Sequence, residues 1–310
     1  MAVYTQVSSE ALGAFLARFD VGALISTKGI AEGVENTNYL VDTTGGRFVL
    51  TLYERRVAAE DLPYFMALLD HLAAKGLPVP PAIKDRGGAA VHELAGRPAC
   101  LIKFQPGVSV TAPTAAQAHA AGKALAQLHV AAADFSGRRA NDLDPAGWMA
   151  LLARDPVAIE RLVPGLGAAM AGAAAEWPRE LPRGTIHADL FPDNVLMLGD
   201  TVSGLIDFYF ACTDLLAYDL AVMHSAWAFD GTGLPRSAMV GRALLAGYES
   251  ERTLDSAERT ALPALARGAC VRFALTRAWD WLNTPADALV MRKDPLAYWR
   301  RHQWYLENVL

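Results

Sequence analysis

The sequence predicts an α+β fold in two lobes: an antiparallel β-sheet lobe with one helix, then a mostly helical lobe carrying one β-hairpin. Three observations predict it. Short apolar runs separated by tight turns fill the first hundred residues. Beyond Gln105-Pro106-Gly107 the apolar residues recur with helical spacing. The exception in that second part is a pair of short apolar runs flanking Gly199-Asp200, which reads as a hairpin. The expected division is 1–104 and 105–310.

The first lobe opens with strands over 24–30 and 38–42, joined by a polar loop. A Gly45-Gly46 turn leads into a third strand over 47–53. A helix follows over 58–75, because Leu62, Phe65, Met66, Leu69 and Leu72 repeat with helical spacing. Pro63 suits its first turn and Gly76 its stop. Pro78, Pro80 and Pro81 enforce an extended connection to strands near 89–94 and 98–104. In the second lobe helices are expected over 114–133, 145–154, 157–177 and throughout 214–310. The hairpin is expected from Val195 to Leu198 and Val202 to Ile206.

Composition narrows the function. Hydrophobic residues make up 53% of the chain and charged residues 20%, as in ordinary globular proteins. A net charge of -5 argues against nucleic acid as a partner, which would require a basic footprint. No basic segment followed by an apolar run opens the chain, so no signal peptide is expected. The Ala-rich stretch 162–175 is too short to span a bilayer and contains Pro164, so no membrane partner is expected. Cys100, Cys212 and Cys270 are far apart, with no metal spacing, and read as buried thiols of a cytoplasmic protein.

The chemistry concentrates in His187-Ala188-Asp189-Leu190-Phe191-Pro192-Asp193-Asn194. The hairpin that follows returns the chain at Asp207-Phe208, bringing Asp207 beside Asn194, with Asp189 just upstream. Phosphoryl transfer requires this set. One Asp orients the acceptor hydroxyl and takes its proton, while an Asn and a second Asp hold Mg²⁺ against the phosphates of ATP. Oxygen ligands suit that hard cation. The order His-x-Asp-x-x-x-x-Asn, hairpin, Asp-Phe matches the catalytic loop and metal motif of a protein-kinase-like fold. His187 is read as a brace for the loop.

These residues resemble the aminoglycoside phosphotransferase and choline kinase superfamily, with His187-Ala188-Asp189 and Asp207-Phe208-Tyr209 in the positions of its two motifs. The phrases around Gly29–Tyr39, Phe48–Glu54, Leu205–Cys212 and Leu275-Thr276-Arg277 are similar to the bacterial homoserine kinases of that superfamily. The resemblance implies ATP-dependent phosphorylation of L-homoserine to O-phospho-L-homoserine, in threonine biosynthesis. It implies Asp189 as base and Asn194 and Asp207 as metal ligands. It implies that loop 30–37, with Gly33, Asn36 and Thr37, covers the ATP phosphates, and that 102–105, with Lys103, Phe104 and Gln105, meets adenine. No Gly-x-x-x-x-Gly-Lys-Ser/Thr loop is present. Asp219 matches a residue that pins the catalytic loop, with an ordinary helix cap as the alternative. One departure stands out: Thr51 occupies the position where such folds place a strand Lys. Glu60 remains as its helix partner, and Arg55 or Arg56 is a candidate replacement cation or a solvated surface charge.

An amino-acid substrate calls for a cation and an acidic partner. Arg277 and Asp280, three apart on one helix, supply both. Arg277 then either contacts the substrate carboxylate or only pairs with Asp280. Tyr209 and Asp214 are expected to line the same pocket. Two other readings compete: the same fold acting on an aminoglycoside, choline or a methylthioribose-type alcohol, and a catalytically inactive nucleotide-binding module.

Overall fold

A computed structural model describes residues 5–30, 36–54, 57–284 and 292–308. Among these, residues through Pro106 gather into one compact unit and those from Gly107 onward into a second.

The first unit is built on β1 (Leu24–Ile30), β2 (Asn36–Thr43), β3 (Gly46–Tyr53), β4 (Val91–Leu94) and β5 (Arg97–Lys103). They form an antiparallel sheet in the order β1-β2-β3-β5-β4. The turn between β2 and β3 sits one residue earlier than expected, at Thr44-Gly45, because Thr43 pairs with Gly46. Two helices accompany the sheet where the sequence predicts one. α1 (Ser9–Leu16) is only two turns long and starts on Ser8, whose side chain accepts the Ala11 N–H. Its Leu12, Phe15 and Leu16 join Tyr39, Val41, Phe48, Leu50 and Leu52 in one apolar core. α2 (Leu62–Ala74) is the expected helix, preceded by a separate 3-10 turn at Ala59–Asp61. Period-2 alternation sorts β3. Phe48, Leu50 and Leu52 face the α1 core, whereas Thr51 and Tyr53 point to the other face.

The second unit is mainly helical: α3 (Ala115–Ala131), α4 (Pro145–Leu152), α5 (Pro156–Leu162), α6 (Leu166–Ala175), α7 (Leu216–Trp227), α8 (Ala238–Glu249), α9 (Ser256–Asn283) and α10 (Pro295–Glu307). The single helix expected over 157–177 is two. Pro164 and Gly165, the latter at φ +88°, break it. α5 and α6 have the combined length and apolarity of a membrane span but are bent by 102°; no single helix among the described residues is long and apolar enough to cross a membrane.

Two small sheets interrupt these helices. β7 (Val195–Leu198) and β8 (Thr201–Leu205) form the expected hairpin around Gly199-Asp200, with Gly199 at φ +63°. β6 (Arg183–Ile186) pairs with β9 (Cys212–Leu215), a strand whose second half lies in the stretch expected to be helical. α7 is buried along every face from Ala217 to Trp227, the property of a central core helix.

Candidate active site

The segment from His187 to Asn194 leaves the end of β6 and enters β7. Its backbone is held from several directions. Asp219, on the first turn of α7, accepts the His187 N–H at 2.7 Å through Oδ2 and the Ala188 N–H at 2.7 Å through Oδ1. Arg272 of α9 donates to the Ala188 carbonyl at 2.7 Å. Trp227 of α7 donates from Nε1 to the Leu190 carbonyl at 3.0 Å. Ala188 adopts φ +63°, a left-handed conformation uncommon for a residue with a Cβ. The surrounding bonds over-determine that strained residue, immediately before Asp189.

His187 is a strut. Its Nε2–H donates to the Ile206 carbonyl at 3.0 Å, and its Nδ1 accepts the Asp189 N–H at 3.3 Å. A carbonyl cannot donate, so this pair of bonds selects the neutral tautomer with the proton on Nε2. Burial lowers the His187 pKa, consistent with that neutral form, against the opposing pull of Asp219. The ring also packs on Phe208, with centroids 4.5 Å apart.

Asp219 is fully buried. Burial opposes its charge, but the hydrogen bond and charge of His129, with His187, bring the net pKa below the usual carboxylate value. His129 Nε2 lies 3.0 Å from Asp219 Oδ2, and its Nδ1 lies 2.8 Å from the Tyr248 hydroxyl. Arg252 donates to that hydroxyl at 3.0 Å and to Glu258 at 2.8 Å. His129 and Tyr248 thus link Arg252 to Asp219 in one continuous hydrogen-bonded chain. The sequence leaves His129 as a core or surface histidine; no local signal ties it to a residue 90 positions away.

Asn194 closes the loop. Its Nδ2 donates to the Asp189 carbonyl at 2.8 Å and to Asp189 Oδ2 at 3.3 Å, which turns Oδ1 away. The Ile206 N–H donates to the Asn194 carbonyl at 3.0 Å, so the hairpin brings Asn194 and the start of the Asp207 segment together. Asp207 takes φ +66° and is half-buried. Among the described residues no group of three or more His, Cys, Asp or Glu is set to hold a metal ion. An amide oxygen with one or two carboxylates still fits a hard divalent cation that takes its remaining ligands from water and phosphates.

The candidate substrate residues divide. Arg277 donates to the Asp294 carbonyl at 3.3 Å and stacks on Tyr298, with its guanidinium carbon 4.5 Å from the ring centroid. Burial lowers its pKa, while Tyr298, Asp189 and Asp193 act in the opposite sense, so Arg277 lies within electrostatic reach of the loop. Asp280 is half-buried one turn further along α9. Tyr209 is half-buried in the 3-10 turn Phe208–Phe210. Asp214 departs from expectation. It is buried in β9, accepts from Asn141 at 2.7 Å and from the Leu215 N–H at 2.8 Å, and pairs with Arg183 at 2.9 Å. It opposes Gly184, two pairs along the β6–β9 ladder from the Ile186–Cys212 end that leads into His187, and borders a separate cavity of about 730 Å³ lined by residues including Arg138, Arg139, Arg179 and Arg183.

The nucleotide candidates lie in the first unit. Gly33, Arg55 and Arg56 are outside the described residues. Asn36 and Thr37 belong to β2 and not to a loop: Asn36 accepts the Glu54 N–H at 3.4 Å, and the buried Thr37 hydroxyl donates to Glu54 at 2.7 Å. Cross-strand bonding to the end of β3 extends the strand to these polar residues. Thr51 is buried and donates to Asn38 at 2.8 Å, its register partner on β2. Glu60 is exposed in the 3-10 turn before α2, not on a helix. Lys103 ends β5 opposite Phe48, Phe104 donates its N–H to the Arg47 carbonyl at 3.3 Å, and Gln105 donates to the Val79 carbonyl at 3.3 Å.

Fold and loop together define a kinase-like phosphotransferase. The model of the phosphotransferase enzyme family (APH) matches residues 26–254. Among solved structures, an amicoumacin kinase in complex with AMP-PNP and Ca²⁺ is similar in fold, with a TM-score of 0.73 at 14% identity over 98% of this chain and 95% of that one. A microcompartment-associated aminopropanol kinase gives a TM-score of 0.64 at 20% identity over 97% and 98%. Among curated proteins, the homoserine kinase of Xanthobacter autotrophicus is 53% identical, covering 98% of this chain and 96% of that protein. The homoserine kinase of Acidiphilium cryptum is 52% identical over 99% and 97%. The chain belongs to the phosphotransferase enzyme family and, within it, to the homoserine kinases.

Proposed function

We propose that this chain transfers the γ-phosphoryl group of ATP to the side-chain hydroxyl of L-homoserine, giving ADP and O-phospho-L-homoserine in the cytoplasm, on the route to threonine. The observation that carries this reading is the near-full-length identity of 53% with a curated homoserine kinase.

In this reading Asp189 accepts the hydroxyl proton as the acceptor oxygen bonds to the γ-phosphorus and the bridging oxygen leaves with ADP. Asn194 steadies Asp189 through its amide nitrogen and, with Asp207, holds a divalent metal. When bound, that metal, Mg²⁺ in this reading, neutralises charge on the phosphate oxygens. His187 and Asp219 act on the loop and not on the substrate. Arg277 takes the homoserine carboxylate, with Asp280 and Tyr209 beside it. Thr51 and the backbone at Lys103, Phe104 and Gln105 contribute to nucleotide binding.

The test is an acceptor panel. Mg·ATP is supplied with L-homoserine, L-serine, choline or kanamycin, and ADP is followed. Homoserine-dependent ADP release supports the assignment. Release with kanamycin but not homoserine overturns it, as does the absence of turnover with every acceptor.

A further inference from the structure

Arg272 is a buried cation, 1% exposed, in the middle of α9. Burying a guanidinium is costly, and a well-packed apolar side chain of similar volume commonly serves stability as well or better. What Arg272 contacts gives it another purpose. Its Nη1 donates to the Ala188 carbonyl at 2.7 Å, one residue before Asp189. Its guanidinium carbon lies 5.6 Å from the ring of Phe210, three residues after Asp207, and 4.5 Å from that of Phe273. One rigid, planar group thus touches both the loop bearing Asp189 and the turn following Asp207.

The Ala188 residue is gripped from both sides. Its N–H meets the Asp219 carboxylate from α7 and its carbonyl meets Arg272 from α9. Charge-assisted bonds of this kind are about twice as strong as neutral ones. They hold Ala188 at φ +63°, a conformation that would otherwise relax.

We propose that Arg272 is a positioning residue that fixes the Asp189 loop relative to the Asp207 segment, so that base and metal ligand keep their spacing. In this proposal it acts on the loop and not on substrate or nucleotide. The proposal rests on the phosphotransferase reading above. A displacement of about 1 Å at such a site costs about 10²-fold in rate.

The experiment compares Arg272→Met and Arg272→Lys with the native chain, using rates normalised to folded protein and backbone amide exchange at 188–190. The expected result for Arg272→Met is kcat lower by about 10²-fold with both KM values within about 3-fold, and Arg272→Lys regaining at least about 10-fold. Exchange at 188–190 rises while exchange in α3 stays unchanged. Unchanged kcat per folded molecule, a change confined to KM, or unchanged exchange at 188–190 overturns the proposal. Should homoserine not be the acceptor, native protein shows no turnover with it, while the exchange comparison still tests the loop.

Discussion

The Asp219 carboxylate lies 2.7 Å from the Ala188 N–H, and Ala188 is the strained residue on which Asp189 is mounted. Asp219→Asn replaces one accepting oxygen with a donor facing a peptide N–H, and removes the negative charge that pairs with His129. The expected cost is about 3 kcal/mol of stability, the scale of breaking a buried charged pair, and about 10²-fold in kcat from loop displacement. Urea unfolding and steady-state rates measure the two effects. Native-like values for both contradict this role.

Acid should destabilise the fold through its buried histidines. His224 and His302 have pKa values depressed to about 4 by burial, against 6.5 unfolded, and His187 is shifted in the same direction. The unfolded chain therefore binds more protons between these limits. The contribution of these groups to stability is fully present above about pH 6.5 and is lost as pH drops toward 4. Urea midpoints measured across this window should decline, and His224→Gln should flatten the decline. A midpoint that rises toward acid contradicts the assignment.

How much of this was legible depends on whether the cause is local. The hairpin was legible because its turn, Gly199-Asp200, and its strand runs are contiguous, and they place Asp207 beside Asn194. β9 was not. Thr213-Asp214 carries no strand signal of its own and becomes a strand only by pairing with Gly184-Thr185, nearly thirty residues earlier. For the same reason Asp214 looked like a pocket residue, when its partners Asn141 and Arg183 are distant in sequence. Arg272 was visible only as a cation on a helix. Its contact with Ala188 spans 84 positions, and no spacing rule reaches that far.

Arg277 provides the test of substrate binding. Arg277→Ala should raise the homoserine KM by about 10- to 100-fold, the value of a charge-assisted hydrogen bond of about 1.5–3 kcal/mol, and leave the ATP KM unchanged. Initial rates over both substrate ranges decide it. An unchanged homoserine KM leaves Arg277 as a partner of Tyr298 and the Asp294 carbonyl alone.

The proposed metal role of Asn194 and Asp207 carries its own test. Chelation with EDTA should abolish turnover, and added Mg²⁺ should restore it. Asp207→Asn should lower kcat by at least about 10²-fold, because several kcal/mol of charge stabilisation is lost with the ligand. Turnover that persists in EDTA contradicts the role of Asn194 and Asp207.

The most direct measurement is product identification. Native protein and the Asp189→Ala variant are each incubated with Mg·ATP and L-homoserine, and the products are identified by mass and phosphorus NMR. O-phospho-L-homoserine and ADP in equal amounts are expected from the native chain, with a rate lower by about 10²–10⁴-fold from Asp189→Ala, the range for loss of a general base. No phosphohomoserine from the native chain, or an undiminished rate from the variant, would contradict the proposed function.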